Sequence, residues 1–181
     1  MRQGGTVPTG IERHFQPDEL IVSKTDYRGI ITYANDVFLR VSTYQESEVI
    51  GAPHSLVRHP DMPRAIFRLL WDNLKAGQEV FAYIVNLAKD GAHYWVLAHV
   101  TPTYDAAGRL AGYHSNRRVP DPEAVRAASR LYTSLIEVER AHARPVDGVR
   151  ASLESFDRRL GELGQNYDQF VWSLTRQDVR S

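Results

Sequence analysis

The sequence predicts an α+β fold: a five-stranded antiparallel sheet, helices grouped between its second and third strands, and a helical segment after the last strand. Three observations carry this. β-rich runs flank glycine turns at 20–33 and at 79–100, each reading as a hairpin. Between them apolar residues recur at helical spacing. Beyond Pro120-Asp121-Pro122 the pattern becomes helical to the end.

Residues 1–18, with Gly4, Gly5, Pro8, Gly10 and Pro17, show little apolar periodicity and are expected to be a flexible lead. Leu20–Ser23 is a short strand, and Thr25-Asp26-Tyr27-Arg28-Gly29 a turn whose glycine can take a positive φ. Ile30–Tyr33 is the returning strand. Asn35-Asp36 stands where a helix N-cap belongs, ahead of Val37, Phe38 and Val41. A short helical piece follows at Glu46–Ile50, with Gly51 as its stop. His54–Met62, bounded by Pro53 and Pro63, reads as irregular. In Arg64–Lys75, Ile66, Leu69, Leu70 and Leu74 share one helical face. Glu79–Leu87 and Tyr94–Val100 are strands joined at Lys89-Asp90-Gly91. A turn is expected at Pro102–Gly108 and a last strand at Arg109–Arg117.

The domain boundaries predicted are 1–18, 19–120 and 121–181. In the last segment Ala124–His142 is helical. After Pro145, Val146, Val149, Leu153, Phe156, Leu160, Leu163, Tyr167, Phe170 and Leu174 alternate spacings of three and four. That pattern predicts one long helix with an unbroken heptad seam, although Gly148, Gly161 and Gly164 weaken it. The seam suits a helical hairpin or an intermolecular coiled coil, and the sequence does not choose between them.

Lys+Arg and Asp+Glu are 22 each over 181 residues, and neither the first 120 residues nor the rest has the basic excess that binding a phosphate backbone needs. Nucleic-acid binding is disfavoured on that balance. The absence of cysteine excludes disulfides, thiolate metal sites and a cysteinyl–flavin photoadduct. No apolar run reaches the length of a membrane span, and the polar start lacks a secretory signal, so a cytoplasmic protein without direct membrane insertion is expected. No nucleophile–base pair, metal cluster or phosphate-cradling glycine loop emerges, so no enzyme is predicted.

Asp26 to Asn35, Val49-Ile50-Gly51, and Lys89-Asp90-Gly91-Ala92-His93-Tyr94-Trp95-Val96 together resemble a PAS sensor domain over about residues 18–119. More narrowly, Pro53-His54-Ser55-Leu56-Val57-Arg58-His59-Pro60-Asp61-Met62-Pro63 is similar to the hallmark loop of PAS domains from bacterial aerotaxis and energy-taxis receptors. The resemblance implies a PAS fold with short helices on one sheet face. It also implies FAD held noncovalently, and a redox state relayed to a chemoreceptor or other signalling protein. With no spanning segment or receptor hairpin, the chain looks like the stand-alone soluble form, recruited to the inner membrane by a receptor. The relay would run through residues 121–181 or the PAS sheet, and a homodimer would use the same seam. The third strand departs from the family at Val80, where Trp is usual, and at Leu87 and Ala88, where basic residues are usual.

Within that resemblance, Arg58 is expected to clamp the diphosphate, with His59 donating beside it. Asp61 would orient Arg58 or reach the ribose or adenine; its alternative is a helix cap. Asn35 would lie near the ligand; the plain alternative is an N-cap, and the two roles are compatible. Trp71 would stack on the ring or pack in the core, and Tyr94 would line the pocket. His114, and with it Asn116, would face the reactive flavin nitrogen, unless that strand face points outward. His54 opens a rival reading as a haem ligand. A cofactor-free adaptor, its cavity filled by Phe, Trp and Leu side chains, is the further alternative.

Overall fold

The computed structural model describes residues 6–175. The first five residues of the lead and the last six of the helical segment lie outside the described residues. The strands are β1 (Ile21–Asp26), β2 (Ile31–Ala34), β3 (Val80–Leu87), β4 (His93–Tyr104) and β5 (Leu110–Arg118). They form one antiparallel sheet in the order β2-β1-β5-β4-β3. The central position of β5 brings the last strand beside the first. Helices α1 (Asp36–Ser42), α2 (Glu46–Val49) and α3 (Arg64–Lys75) fill the connection between β2 and β3, and α4 (Pro122–Arg140), α5 (Pro145–Leu163) and α6 (Tyr167–Thr175) follow the sheet.

Local chemistry sets the turns. In the β1–β2 turn, Asp26 Oδ1 accepts from the amides of Arg28 and Ile30 at 2.8 and 2.9 Å, and Gly29 sits at φ 81°. Asn35 caps α1 by accepting from the Phe38 amide at 3.0 Å. The turn predicted at Pro102–Gly108 is shorter than expected, because β4 continues through Pro102 to Tyr104. Pairing with β3 ends at Val100, so beyond it β4 is an edge strand, where proline is tolerated.

Register divides the sheet into two faces. One face, carrying Val80, Ile84, Val96, Val100, Tyr113 and Arg117, looks toward α1–α3. The other carries Phe81, Tyr83, Trp95, Leu97 and His99, and α4 and α6 cover it over β3 and β4. Tyr132 of α4 donates to the Tyr83 carbonyl at 2.6 Å and stacks near Trp95, while Trp172 of α6 lies against Phe81.

Two expectations need correcting. The lead is tied down from Thr9 onward. The Thr9 amide donates to the Gly91 carbonyl, backbone bonds link Ile11 and Arg13 to His93, and Arg13 pairs with Asp90. Phe15 is buried. The long heptad helix is broken: α5 ends at Gly164 in the left-handed region (φ 63°), where the Gly164 and Gln165 amides close back on Gly161 and Leu160. Asn166 and Gln169 then cap α6 reciprocally. α5 folds back on α4 as a hairpin and also touches α3. Gly148 makes the hairpin close, since a Cβ there would lie 2.4 Å from the Glu139 carbonyl. Seam residues Val146 and Leu163 are exposed, while Phe156 and Leu160 are buried within the chain.

Candidate functional site

Between α3 and the inner sheet face lies a cavity of about 430 Å³. Its walls are mostly apolar, with Phe67, Leu70, Trp71 and Leu74 from the helix and Val80 and Ile84 from the sheet. Helical spacing puts the α3 residues on one side, and strand alternation supplies the opposite wall. Trp71 meets Tyr113 edge-on at 5.2 Å, and its ring lies close to the backbone at Gly29. The cavity is hollow and not plugged by these aromatic groups.

Polar groups gather at the β1–β5 end. Ser23, Thr25, Ser115 and Arg117 line it from paired positions of the two strands, with His54 from the loop. Arg117 is 4% exposed. Its Nη2 donates to Ser23 Oγ at 2.9 Å and to His54 Nε2 at 2.6 Å, and the guanidinium lies 5.8 Å from the Phe38 ring centroid. Among the described residues no carboxylate pairs with it. Burial pushes its pKa down to about 10. Burial and the Arg117 charge push His54 down to about 3, so its imidazole is neutral and accepts through Nε2.

Five buried side-chain polar atoms have no hydrogen-bond partner among the described residues, and three of them belong to this cavity: Thr25 Oγ1, Ser115 Oγ and Arg117 Nη1. Buried polar groups are ordinarily paired, so three orphans on one wall leave this end of the cavity with unused hydrogen-bonding capacity.

Arg58 stands at the other end. Its guanidinium lies over the Phe67 ring at 4.5 Å, and Nη2 approaches the Met62 carbonyl at 3.5 Å. It too has no carboxylate partner among the described residues, and burial lowers its pKa. Arg58 and Ser55 line both the cavity and an outer groove between the loop and the end of α4.

Of the residues singled out from sequence, Arg58, His54 and Trp71 line the cavity, and His59 lines the outer groove. His59 is buried; its Nδ1 accepts from the Asp61 amide at 3.1 Å, so it is not a free donor through that nitrogen. The others need correcting. Asn35 spends its amide on structure: Oδ1 accepts from Val22 and Phe38, and Nδ2 donates to the Leu20 carbonyl. Asp61 is exposed and neither pairs with Arg58 nor caps α3. Glu139 of α4 does the capping, accepting from the Arg64 and Ala65 amides at 3.2 and 2.9 Å. Tyr94 is packed in the core outside the cavity. His114 and Asn116 bond each other at 3.1 Å on the opposite sheet face. The cavity-facing residues of β5 are Tyr113, Ser115 and Arg117, which the sequence reading missed although alternation along the strand separates the two sets. His54 Nε2 is occupied by the Arg117 cation, which removes that nitrogen from a haem iron. Among the described residues no group of three metal-ligating side chains occurs.

A family model described as the PAS fold matches residues 21–114. The chain is 42% identical to the Aerotaxis receptor of Escherichia coli (strain K12) over 118 residues, 65% of this chain and 23% of the receptor. It is 32% identical to a Nitrogen fixation regulatory protein of Klebsiella pneumoniae over 97 residues, 54% of this chain and 20% of that protein. The chain thus spans about a quarter or less of the length of these curated relatives. Among solved structures, a light-oxygen-voltage domain whose mechanism was studied with a flavin analogue shares the fold. Its TM-score is 0.54 at 20% identity, covering 61% of this chain and 83% of that one.

Proposed function

We propose, from the premise that the chain belongs to the PAS family, that it is a redox sensor holding FAD noncovalently between α3 and the sheet. The observation that carries this reading is the trio of orphaned polar atoms on one wall of a hollow apolar cavity. A flavin needs that combination: a flat apolar slot for the ring and polar groups for its edge. Trp71, Leu70 and Ile84 would supply the slot, Thr25, Ser115 and Arg117 the edge, and Arg58 a cation for the diphosphate. A bound flavin supplies reversible electron storage with an accompanying change of charge on its ring.

Arg117 is the residue that gives this change a consequence. It is a buried, fixed cation, so it favours added negative charge beside it. His54, kept neutral, orients the guanidinium without competing for it. The chain has no cysteine, so the site is suited to redox rather than to thiol-adduct photochemistry. Two contacts lead outward to the C-terminal helices: Tyr132 on the Tyr83 carbonyl, and Glu139 on the start of α3. Through them a bias of a few kcal/mol at the ring edge would reach residues 121–181, which we assign to docking on a chemoreceptor or other signalling partner.

The test is a redox titration of the FAD-loaded chain beside Arg117→Met. Loss of the cation is expected to lower the midpoint potential while the fold persists. Failure of the chain to bind FAD, or equal potentials in the two proteins, overturns the reading.

A further inference from the structure

We propose that the groove between the Arg58–Pro63 loop and the end of α4 is the diphosphate–nucleoside half of the ligand site, so that the C-terminal helix forms part of the binding site. This rests on the flavin reading for the ring half.

A cavity of about 430 Å³ accommodates a tricyclic ring and its polyol tail, but a dinucleotide must continue beyond it. The continuation is defined, because Arg58 and Ser55 line the cavity and the groove alike. Past Arg58 the groove gathers positive charge: Arg64 at the start of α3 and Arg140 in the last turn of α4. None of the three arginines has an ion-pair partner among the described residues. Arg64 is near enough to Arg58 to depress its pKa beyond the effect of burial, and the Glu139 carboxylate offsets this in part. The carboxylate in the groove lining, Glu139, is spent on the Arg64 and Ala65 amides. Asp61 is exposed beside His59 and pairs with no arginine. Three arginines thus share the groove with one carboxylate, which is bonded to the α3 amides, and a diphosphate would balance the excess positive charge while matching the forked geometry of arginine. His142 also lines the groove, its Nδ1 bonded to the Val138 carbonyl at 2.9 Å.

The experiment uses the full chain stripped of ligand, titrated separately with riboflavin, FAD and ADP. Riboflavin probes the ring cavity, ADP the groove, and FAD both. FAD is expected to bind at least about tenfold tighter than riboflavin. Arg140→Glu, an exposed change, is expected to weaken FAD and ADP about tenfold and to leave riboflavin unchanged. Arg64→Glu should repeat the pattern from the other wall. Equal affinity for FAD and riboflavin, or FAD and ADP binding unaltered by Arg140→Glu, overturns the inference. If neither flavin binds but ADP does and depends on Arg140, the flavin reading falls and the groove stands. If none of the three binds, both fall.

Discussion

Replacing Arg117 by Met should stabilise the ligand-free chain while weakening its hold on FAD. The guanidinium is buried, has no carboxylate beside it among the described residues, and is pushed down to about 10. Against a solvated guanidinium near 12.5, at about 1.4 kcal/mol per pH unit, the charge carries a penalty on the order of 3 kcal/mol. Two hydrogen bonds, to Ser23 Oγ and His54 Nε2, return about 1 kcal/mol each. Met fills a similar length with apolar atoms, and Ser23 Oγ and His54 Nε2, already 3.2 Å apart, keep each other as hydrogen-bond partners. The expected net gain is about 1 kcal/mol, or a rise of about 2–4 °C in Tm for a chain of this size. The assay is thermal and urea denaturation of ligand-free protein, with FAD affinity measured in parallel. A loss of stability above about 1 kcal/mol would show Arg117 to be a structural strut, and the argument from its unpaired charge would fail.

Other consequences are as direct. His54 is held neutral in the fold, so stability is complete above about pH 6.5 and is lost as pH falls toward about 3, because the unfolded chain takes up the proton first. His54→Asn should therefore gain on the native chain by about 1–2 kcal/mol between about pH 7 and 4.5 in urea midpoints, and a pH-independent difference would refute the assignment. Glu139→Ala removes the cap of α3, whose N-cap Pro63 offers no side chain; a loss of about 1–2 kcal/mol is expected, and Glu139→Gln should recover part of it. Gly112→Ala would put a Cβ 1.9 Å from the Thr25 carbonyl across the β1–β5 pair, so a loss of about 3 kcal/mol or more is expected, measured by Tm; a neutral effect would contradict the register.

Where local chemistry decides, the sequence is a sufficient guide. The Asn35 cap, the Asp26–Gly29 turn and the bounds of α3 follow from residues a few positions apart. The cavity ends marked by Arg58, His54 and Trp71 also follow, from one contiguous loop and one helix. Errors arise where a long-range contact decides. The parity of β5 depends on its pairing with β1 and β4, and without it His114 and Arg117 are equal candidates for the inner face. Asp61 lost the cap of α3 to Glu139, which lies 75 residues from Arg64 along the chain. The heptad seam was real as spacing, but Gly164 adopts a left-handed conformation that the pattern of apolar residues does not record. Gly148 reads as a weakness by helix propensity and proves to be the contact that lets α5 approach α4.

The most direct measurement is a titration of the ligand-stripped full chain with FAD, followed by visible absorption and by the quenching of the cavity tryptophan Trp71. The account predicts saturation at one FAD per chain, with Trp71 fluorescence quenched and with binding lost in Arg58→Ala. An unchanged flavin spectrum and unquenched tryptophan at FAD well above protein concentration would contradict it, leaving the apolar hollow and its orphaned polar wall without the ligand assigned to them.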